Sequence, residues 1–360
     1  MRILHVITSL YNGGAERLMV DLLPRLLNNG ENEVDLLLFN GVETIFKKEL
    51  QQKGINIISL STTNDVYNPR RLRKLCRIIP QYDIIHTHNT ACQFYVALAS
   101  RLSSCHALLV TTEHNSTNRR RSKNWLKPVD KWMYNRYQAI VCIADQTRQN
   151  LEAYLGLSHD VYTIHNGIDI SRFKRSIADV SGKHDYVITM VAAYRPQKDH
   201  ETLMRAMTHL PENYRLQFVG SGDPDEGKRK KAVITQLGLE ERVSFLGLRQ
   251  DVPDILEKSD IVVLSSHWEG LSLASIEGMA CGRPFVASDV DGLHEIVDGA
   301  GILFPEGDDR ELARVIQNLC ENPQLYQQVA QRCQERAQQY DISVMAGNYL
   351  ELYASLLRDR

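Results

Sequence analysis

A short, unbroken apolar run, then a loop, then a helical stretch recurs from end to end of this chain, and no other feature restricts its fold as strongly. In residues 1–166 the runs are ILHVIT (3–8), EVDLLLF (33–39), INIISL (55–60), DIIHTH (83–88), ALLVTT (107–112), AIVCIA (139–144) and VYTIHN (161–166). In residues 186–304 they are YVITMVA (186–192), RLQFVG (215–220), VSFLG (243–247), IVVLSS (261–266), PFVAS (284–288) and GILF (301–304). Continuous apolar runs of this length suit strands buried on both faces. Helical stretches between them imply right-handed crossovers and parallel sheets.

The beat pauses at NGIDISRFKRSIADVSGKHD (166–185), a polar stretch without periodicity that reads as a linker. The expected fold class is therefore α/β, with two doubly wound Rossmann-like domains, 1–170 and 171–340, facing across a cleft. After residue 304 the chain reads as helical over 308–321, 324–339 and 342–358, with Pro323 and Asp341 as breaks. Ligands of such sheets bind beyond the carboxyl ends of the strands, which places the expected site in the cleft.

With 360 residues, 43% of them hydrophobic, each half can bury its own core. No run of eighteen apolar residues is present, so no membrane-spanning helix is expected. The start, MRILHVITSL, is too short and strand-like for a signal peptide. Seven cysteines lie singly, with no CxxC pair and no histidines at zinc spacing, so the expected setting is a reducing cytoplasm without a structural metal. Charge is split: residues 1–175 carry 23 Lys and Arg against 15 Asp and Glu, and residues 176–360 carry 19 against 29. Two basic stretches dominate the first half, RRLRKLCRI (70–78) and NRRRSKNWLKPVDKWMYNRY (118–137). Both could be solvated helix faces, or they could draw the domain to an anionic surface. In the second, Trp125, Trp132, Tyr134 and Tyr137 interleave with the basic residues beside Leu126, Val129 and Met133, which suits a membrane interface better than nucleic acid.

Several strand-end loops can carry chemistry. In SLYNGGAERL (9–18), Gly13 and Gly14 follow a strand and precede a helix, where amides can face an anion. The pair is not GxGxxG, and no acidic residue follows in dinucleotide fashion. His114 lies just past the fifth run, and His86 and His88 end the fourth. In AAYRPQKDHETL (192–203), Arg195 and Lys198 precede a helix that Asp199 is expected to cap, an arrangement suited to a diphosphate. VGSGDP (219–224) and NGID (166–169) are further glycine loops that could be plain turns.

SHWEGLSLASIEGMACGRP (266–284) holds two glutamates eight apart, Glu269 and Glu277. The spacing predicts a helix over 272–280 with Glu269 on the loop before it and Glu277 inside it. The first-turn amides of Ser272, Leu273 and Ala274 are then open to phosphate. Carboxylates repel a diphosphate but accept hydrogen bonds from vicinal diols. A nucleotide-sugar fits this order, with a hexose at Glu269, phosphates between, and a ribose at Glu277.

EGLSLASIEGMACGRPFVASDVDGLHEIV closely resembles the E-x7-E signature of family 4 retaining glycosyltransferases, which have the GT-B fold. NGGAERL, TTEHN, HNGID, RPQKDHETL and VGSGDP fall in that family's order, so the resemblance spans nearly the whole chain. It implies transfer of a hexose or N-acetylhexosamine from a nucleotide-sugar, by family frequency a UDP-sugar, with retention and with no metal or other cofactor. Carried onto this chain, it implies that Glu277 binds the ribose and Glu269 contacts the transferred sugar. Amides of Ser272, Leu273 and Ala274 hold the β-phosphate, and Lys198 pairs with the diphosphate. Gly13 and Gly14 close over the donor, Gly222 allows its close approach, and His114 contacts a sugar hydroxyl near the reaction centre. It also implies that the last helix, 341–360, crosses back onto the N-terminal domain, for which the stripe Met345, Tyr349, Leu352, Tyr353 and Leu356 is suited.

Two positions depart from the family pattern. Ala193 stands where an Arg is usual, with Arg195 as the candidate replacement, and Asp291 stands where a Gly is usual. The Asp289–Asp291 string this creates lies outside the phosphate loop and is not read as a metal site. Stabilising the departing nucleoside diphosphate is the main catalytic need. With no evident carboxylate nucleophile, same-face attack with the leaving phosphate oxygen helping to deprotonate the acceptor is the expected route. The expected acceptor is a glycan on a polyprenyl diphosphate lipid in surface polysaccharide or lipopolysaccharide synthesis. It would be met in the cytoplasm, with peripheral contact at the inner face of the membrane and no nucleic acid partner. A nucleotide-sugar 2-epimerase of similar fold, and a non-enzymatic nucleotide-binding scaffold, are the alternatives.

Overall fold

A computed structural model of the chain describes residues 1–11, 13–27, 30–63, 68–114, 123–156, 160–173 and 175–359. It resolves two compact units, the first comprising Met1–Gly167 with Ile342–Arg360 and the second Ile168–Asp341.

The thirteen apolar runs are the strands. In the first unit they are β1 (Arg2–Ile7), β2 (Glu33–Leu38), β3 (Asn56–Ser59), β4 (Ile84–Thr87), β5 (Leu108–Glu113), β6 (Ala139–Cys142) and β7 (Val161–Thr163). The second unit has β8 (Tyr186–Val191), β9 (Tyr214–Val219), β10 (Val243–Gly247), β11 (Ile261–Leu264), β12 (Phe285–Ser288) and β13 (Ile302–Phe304). Every pairing is parallel, and the sheet orders are β3-β2-β1-β4-β5-β6-β7 and β10-β9-β8-β11-β12-β13. Two α/β domains with doubly wound parallel sheets are thus the fold. Strand order reverses between β1 and β4 in one unit and between β8 and β11 in the other. Connections leave such a point in opposite directions and open a crevice at the carboxyl ends.

In the first unit one sheet face carries Ile3, Ile7, Ile84 and Val110 against the helices Gly14–Leu26 and Ile342–Arg358. Met345, Tyr349, Leu352 and Tyr353 of the last helix are buried there. Each such side chain contributes about 1.5–3 kcal/mol by leaving water, which docks the chain's end into this core. The opposite face carries Leu4, Val6, Ile85 and Leu109 against helices that supply Leu75, Val96, Met133 and Leu151.

Two sequence expectations change. Residues 168–185 are not a free linker: Phe173 and Val180 are buried in the second unit, and Arg175 pairs with Glu257 at 2.9 Å. Gly282 packs so closely on this segment that a Cβ there would lie 2.7 Å from the Ser176 carbonyl oxygen. In the aromatic basic stretch, Met133, Tyr134 and Tyr137 belong to the core, so they cannot face a membrane. Residues 118–122 of that stretch lie outside the described residues.

Candidate active site

In the second unit the loops leaving β8 and β11 stand side by side at the strand-order reversal. The first ends in a 3-10 turn, Pro196–Lys198, and then the helix His200–His209. Asp199 joins them with φ 39° and caps the helix, its carboxylate accepting from Thr202 N at 3.2 Å and Thr202 Oγ1 at 2.5 Å. Among the described residues it is the one non-glycine with positive φ, and backbone strain of this kind concentrates at functional sites. The two loops are cross-tied: His267 N donates to Gln197 O (2.8 Å), Gln197 Nε2 to Trp268 O (2.7 Å), and Ser265 Oγ to Asp199 O (2.7 Å).

This lacing brings Lys198 and Glu269 together. Their side chains form a largely buried ion pair, 17% and 6% exposed. Ser266 Oγ donates to the same Glu269 oxygen at 2.6 Å. Arg195, in extended conformation just before the 3-10 turn, is exposed, and the Ala193 carbonyl accepts from its amide at 2.8 Å. The helix Leu273–Ala280 begins immediately after this loop, and the Ser272 side chain does not cap it. Ser272 is buried and Leu273, Ala274 and Glu277 are half-buried. First-turn amides of a helix have no intrahelical acceptor, so this end offers donors to an anion.

Glycines set how closely these loops approach. At Gly222 a Cβ would lie 2.4 Å from the Tyr194 carbonyl oxygen, so the loop after β9 can meet the loop after β8 there only without a side chain. Beside it opens a pocket of about 300 Å³ lined by Tyr194, Ser221, Gly222, Lys228, Lys231 and Phe245. Aromatic rings next to two ammonium groups suit a flat ring attached to an anionic chain. Asp291 is exposed, and the glycine this turn requires is Gly292, at φ +80° and packed on the backbone of 269–270. Asp289 accepts from or shares a proton with His294 Nδ1 at 2.6 Å, and this contact raises the His294 pKa.

In the first unit, Gly13 ends the β1 loop with extended φ (−165°), and both Gly13 and Gly14 are exposed at the start of the helix Gly14–Leu26. The Glu16 side chain lies over Gly13, and burial raises its pKa. His114 follows β5, whose last residue, Glu113, is buried and accepts from Gln93 Nε2 (2.6 Å) and Tyr134 OH (2.5 Å).

Sequence reasoning placed His86, His88 and His114 at strand ends but missed His5. Register is the missing information, because β1 and β4 pair His5 directly with His86. His5 Nδ1 meets His88 Nε2 at 2.8 Å, and His88 Nδ1 meets His114 Nε2 at 3.2 Å. His86 bonds Tyr353 OH (2.5 Å) and Thr112 Oγ1 (2.7 Å). Ring nitrogens of His5, His86 and His88 lie within 4.8 Å of one another, but all except His5 Nε2 are engaged in these hydrogen bonds. The arrangement is a hydrogen-bonded network.

Burial lowers the pKa of His5 to about 3 and of the partly open His114 to about 4, and it pushes His86 and His88 well below 6.5. These rings are neutral when folded, whereas in the unfolded chain they protonate near pH 6.5. The unfolded state therefore binds more protons below that pH. Their contribution is intact above about pH 6.5 and is lost as pH falls toward 3–4. Each such group adds about 1.4 kcal/mol per pH unit to the slope inside that window. His86→Gln should flatten the stability slope between pH 6.5 and 5 by about one proton, read from urea unfolding at each pH. Equal slopes in both proteins would show that His86 titrates freely when folded.

Residues 12–172 match the model for Glycosyltransferase Family 4, and residues 172–339 match that for Glycosyl transferases group 1. The chain is a family 4 glycosyltransferase. Family 4 relatives include the UDP-Gal:alpha-D-GlcNAc-diphosphoundecaprenol alpha-1,3-galactosyltransferase of Escherichia coli, 29% identical over 59% of each chain. Another is the N-acetylgalactosamine-N,N'-diacetylbacillosaminyl-diphospho-undecaprenol 4-alpha-N-acetylgalactosaminyltransferase of Campylobacter jejuni, 25% identical over 93% of this chain and 94% of that one. Among solved structures, Anabaena HepE in complex with UDP matches with a TM-score of 0.86 and 25% identity, over 99% of this chain and 100% of that one. The same protein is solved with UDP-glucose, at a TM-score of 0.85. The GT-B fold of family 4 is the one the resemblance implied, and the two parallel-sheet domains and these structural neighbours agree with it.

Proposed function

We propose that this glycosyltransferase moves a hexose or N-acetylhexosamine from a UDP-sugar, with retention and without a metal, to a hydroxyl of a glycan carried on a polyprenyl diphosphate lipid. The observation that carries the reading is the Lys198–Glu269 pair beside the uncapped start of the helix Leu273–Ala280. In the free protein the carboxylate holds the ammonium group in place. A diphosphate brings more negative charge than one carboxylate and takes over Lys198, which frees Glu269 to accept from the transferred sugar's hydroxyls. Lys198, Arg195 and the helix start then stabilise the departing diphosphate. Glu277, further along the helix, accepts from the ribose, and the pocket beside Gly222 suits the base. In the first unit, Gly13, Gly14 and His114 are the candidates for contact with the donor and its sugar, on the family resemblance of their loops. Once freed from Lys198, Glu269 still accepts from Ser266 Oγ and is taken up by the sugar's hydroxyls rather than aimed at its anomeric carbon, which supports same-face attack.

UDP as carrier and the polyprenyl acceptor draw on the activities of the E. coli and C. jejuni relatives and on the ligands of HepE. The test is a panel of nucleotide-sugars offered with undecaprenyl-diphosphate-linked acceptors, with product anomers read by NMR. Transfer from a UDP-sugar with the α-anomer kept is expected. Inverted product, or consumption of no UDP-sugar, would reject the reading.

An acceptor of this kind is met at a membrane surface, and exposed residues of the first unit suit contact with one. Trp125 (73% exposed), Val129 (38%) and Trp132 (39%) recur at helical spacing with Lys127 and Lys131 between them. Arg70, Arg73, Lys74 and Arg77 are exposed on the helix Arg70–Ile78. Aromatic side chains insert among headgroups while lysines are drawn to anionic lipid. No described helix is long and apolar enough to cross a membrane. Sedimentation with anionic vesicles at low salt should capture the protein, and Trp125→Ala/Trp132→Ala should release most of it. Equal capture of both would place the contact elsewhere.

A further inference from the structure

The histidine chain of the first unit has a direction that can be read from its unpaired ends. A neutral imidazole carries one N–H and one lone pair, so each ring in a chain passes one hydrogen bond on and receives one. His88 uses both nitrogens, Nε2 toward His5 and Nδ1 toward His114. Only two arrangements are then possible. In one, His5 Nδ1–H donates to His88 Nε2, and His88 Nδ1–H donates to His114 Nε2. In the other, every bond runs the opposite way.

The ends decide between them. His5 Nε2 is buried with no hydrogen-bond partner among the described residues. The reverse direction would put a proton there, leaving a buried N–H without an acceptor, whereas the forward direction leaves only an unused lone pair. Buried N–H groups without acceptors are the rarer and costlier of the two. At the other end, no described residue is hydrogen-bonded to His114 Nδ1. In the forward direction this nitrogen carries the proton. Stacking fixes the rings that transmit the bias: His5 and His88 lie 5.1 Å apart at 12°, and His86 and His88 4.4 Å apart at 25°. Burial keeps the chain uncharged at neutral pH, so the counting of protons holds there.

We propose that His5 and His88 are positioning residues that hold His114 as its Nδ1–H tautomer, presenting a hydrogen-bond donor with no free lone pair. The contact this makes is to a hydroxyl oxygen of the transferred sugar, and in that respect it rests on the reading of the protein as a sugar transferase. His114 is then unable to serve as the base that deprotonates the acceptor, and that proton leaves by another route.

The experiment uses the full chain labelled with 15N-histidine, and long-range 1H–15N correlation spectra at pH 7.5, with His114 assigned by its loss in His114→Gln. The expected wild-type pattern is a protonated Nδ1 and an unprotonated Nε2. His5→Phe keeps a stacked ring but removes the N–H, so His114 should become a mixture of tautomers. His5→Gln restores a donor and should restore the pattern. Outer-shell partners that orient a metal-bound histidine are worth about 10–100-fold; at the lower end of that scale, kcat for transfer should fall about tenfold in His5→Phe with the donor KM unchanged, and recover in His5→Gln. A wild-type His114 protonated at Nε2 would overturn the proposal, even if His5→Phe failed to fold. So would a His114 spectrum unmoved by His5→Phe. A correct tautomer in a protein that transfers no sugar would sink the functional reading while supporting the histidine chain.

Discussion

Lys198→Ala is expected to lower kcat for transfer by about 10²–10³, the usual effect of removing one group that stabilises a developing anion. The same substitution should also destabilise the second unit. Glu269 is 6% exposed, and without the lysine its carboxylate keeps the Ser266 hydroxyl as a neutral donor. Stranding one member of a buried pair costs about 3–5 kcal/mol. Lys198→Ala combined with Glu269→Gln removes the uncompensated charge, so the double variant should regain much of the stability and none of the rate. Urea unfolding of both single variants and the double closes the cycle. If the two stability losses simply added, the pair would not be a coupled unit, and the idea that Glu269 holds the lysine for the diphosphate would go with it. UDP binding separates the two glutamates. Glu277→Ala should weaken it, whereas Glu269→Gln should leave it nearly unchanged while transfer collapses. The reverse pattern would exchange their roles.

The parts of this site that sequence could supply are those written in consecutive residues. Unbroken apolar runs such as IVVLSS and PFVAS marked strands because a strand buried on both faces has no polar alternation. Asp199 before His200–His209 was legible as a cap, and the start of the helix Leu273–Ala280 was legible from the small residues around Ser272. What could not be read is what depends on which strands are neighbours. Lys198 and Glu269 are 71 residues apart and meet because β8 lies beside β11. His86 and Tyr353 are 267 residues apart and meet because the last helix docks on the first sheet. His5 looked like one more strand residue until register set it against His86. Polarity misled at 168–185, where a few buried anchors, Phe173 and Val180, outweigh many exposed polar side chains. Aromatic character misled at Tyr134 and Tyr137, because a tyrosine can bury its ring and still satisfy its hydroxyl, here with Glu113 and the Gln93 carbonyl.

Gly292→Ala should lower transfer by about 10²-fold although residue 292 offers no functional group of its own. It sits at φ +80°, and a Cβ there would lie 2.0 Å from the Gly270 carbonyl oxygen and 2.6 Å from that of Glu269. Both are backbone atoms, so neither can swing aside as a flexible side chain would. Relief requires the 269–270 segment to move, and with it the carboxylate that pairs with Lys198 and the loop that leads into the helix Leu273–Ala280. A misplacement of about 1 Å at a reacting centre costs about 10²-fold in rate. Gly307→Ala is the control. It has nearly the same backbone, φ +74°, with nothing within 4 Å of the added Cβ. That variant carries the conformational strain alone, about 1–2 kcal/mol, and should keep its activity. Gly292→Ala should lose both several kcal/mol of stability and most of its ability to bind a UDP-sugar productively, as read by unfolding and by transfer at saturating donor. If the two variants behaved alike, the left-handed backbone would account for the whole effect. The close approach of 292 to 269–270 would then play no part in setting the position of Glu269.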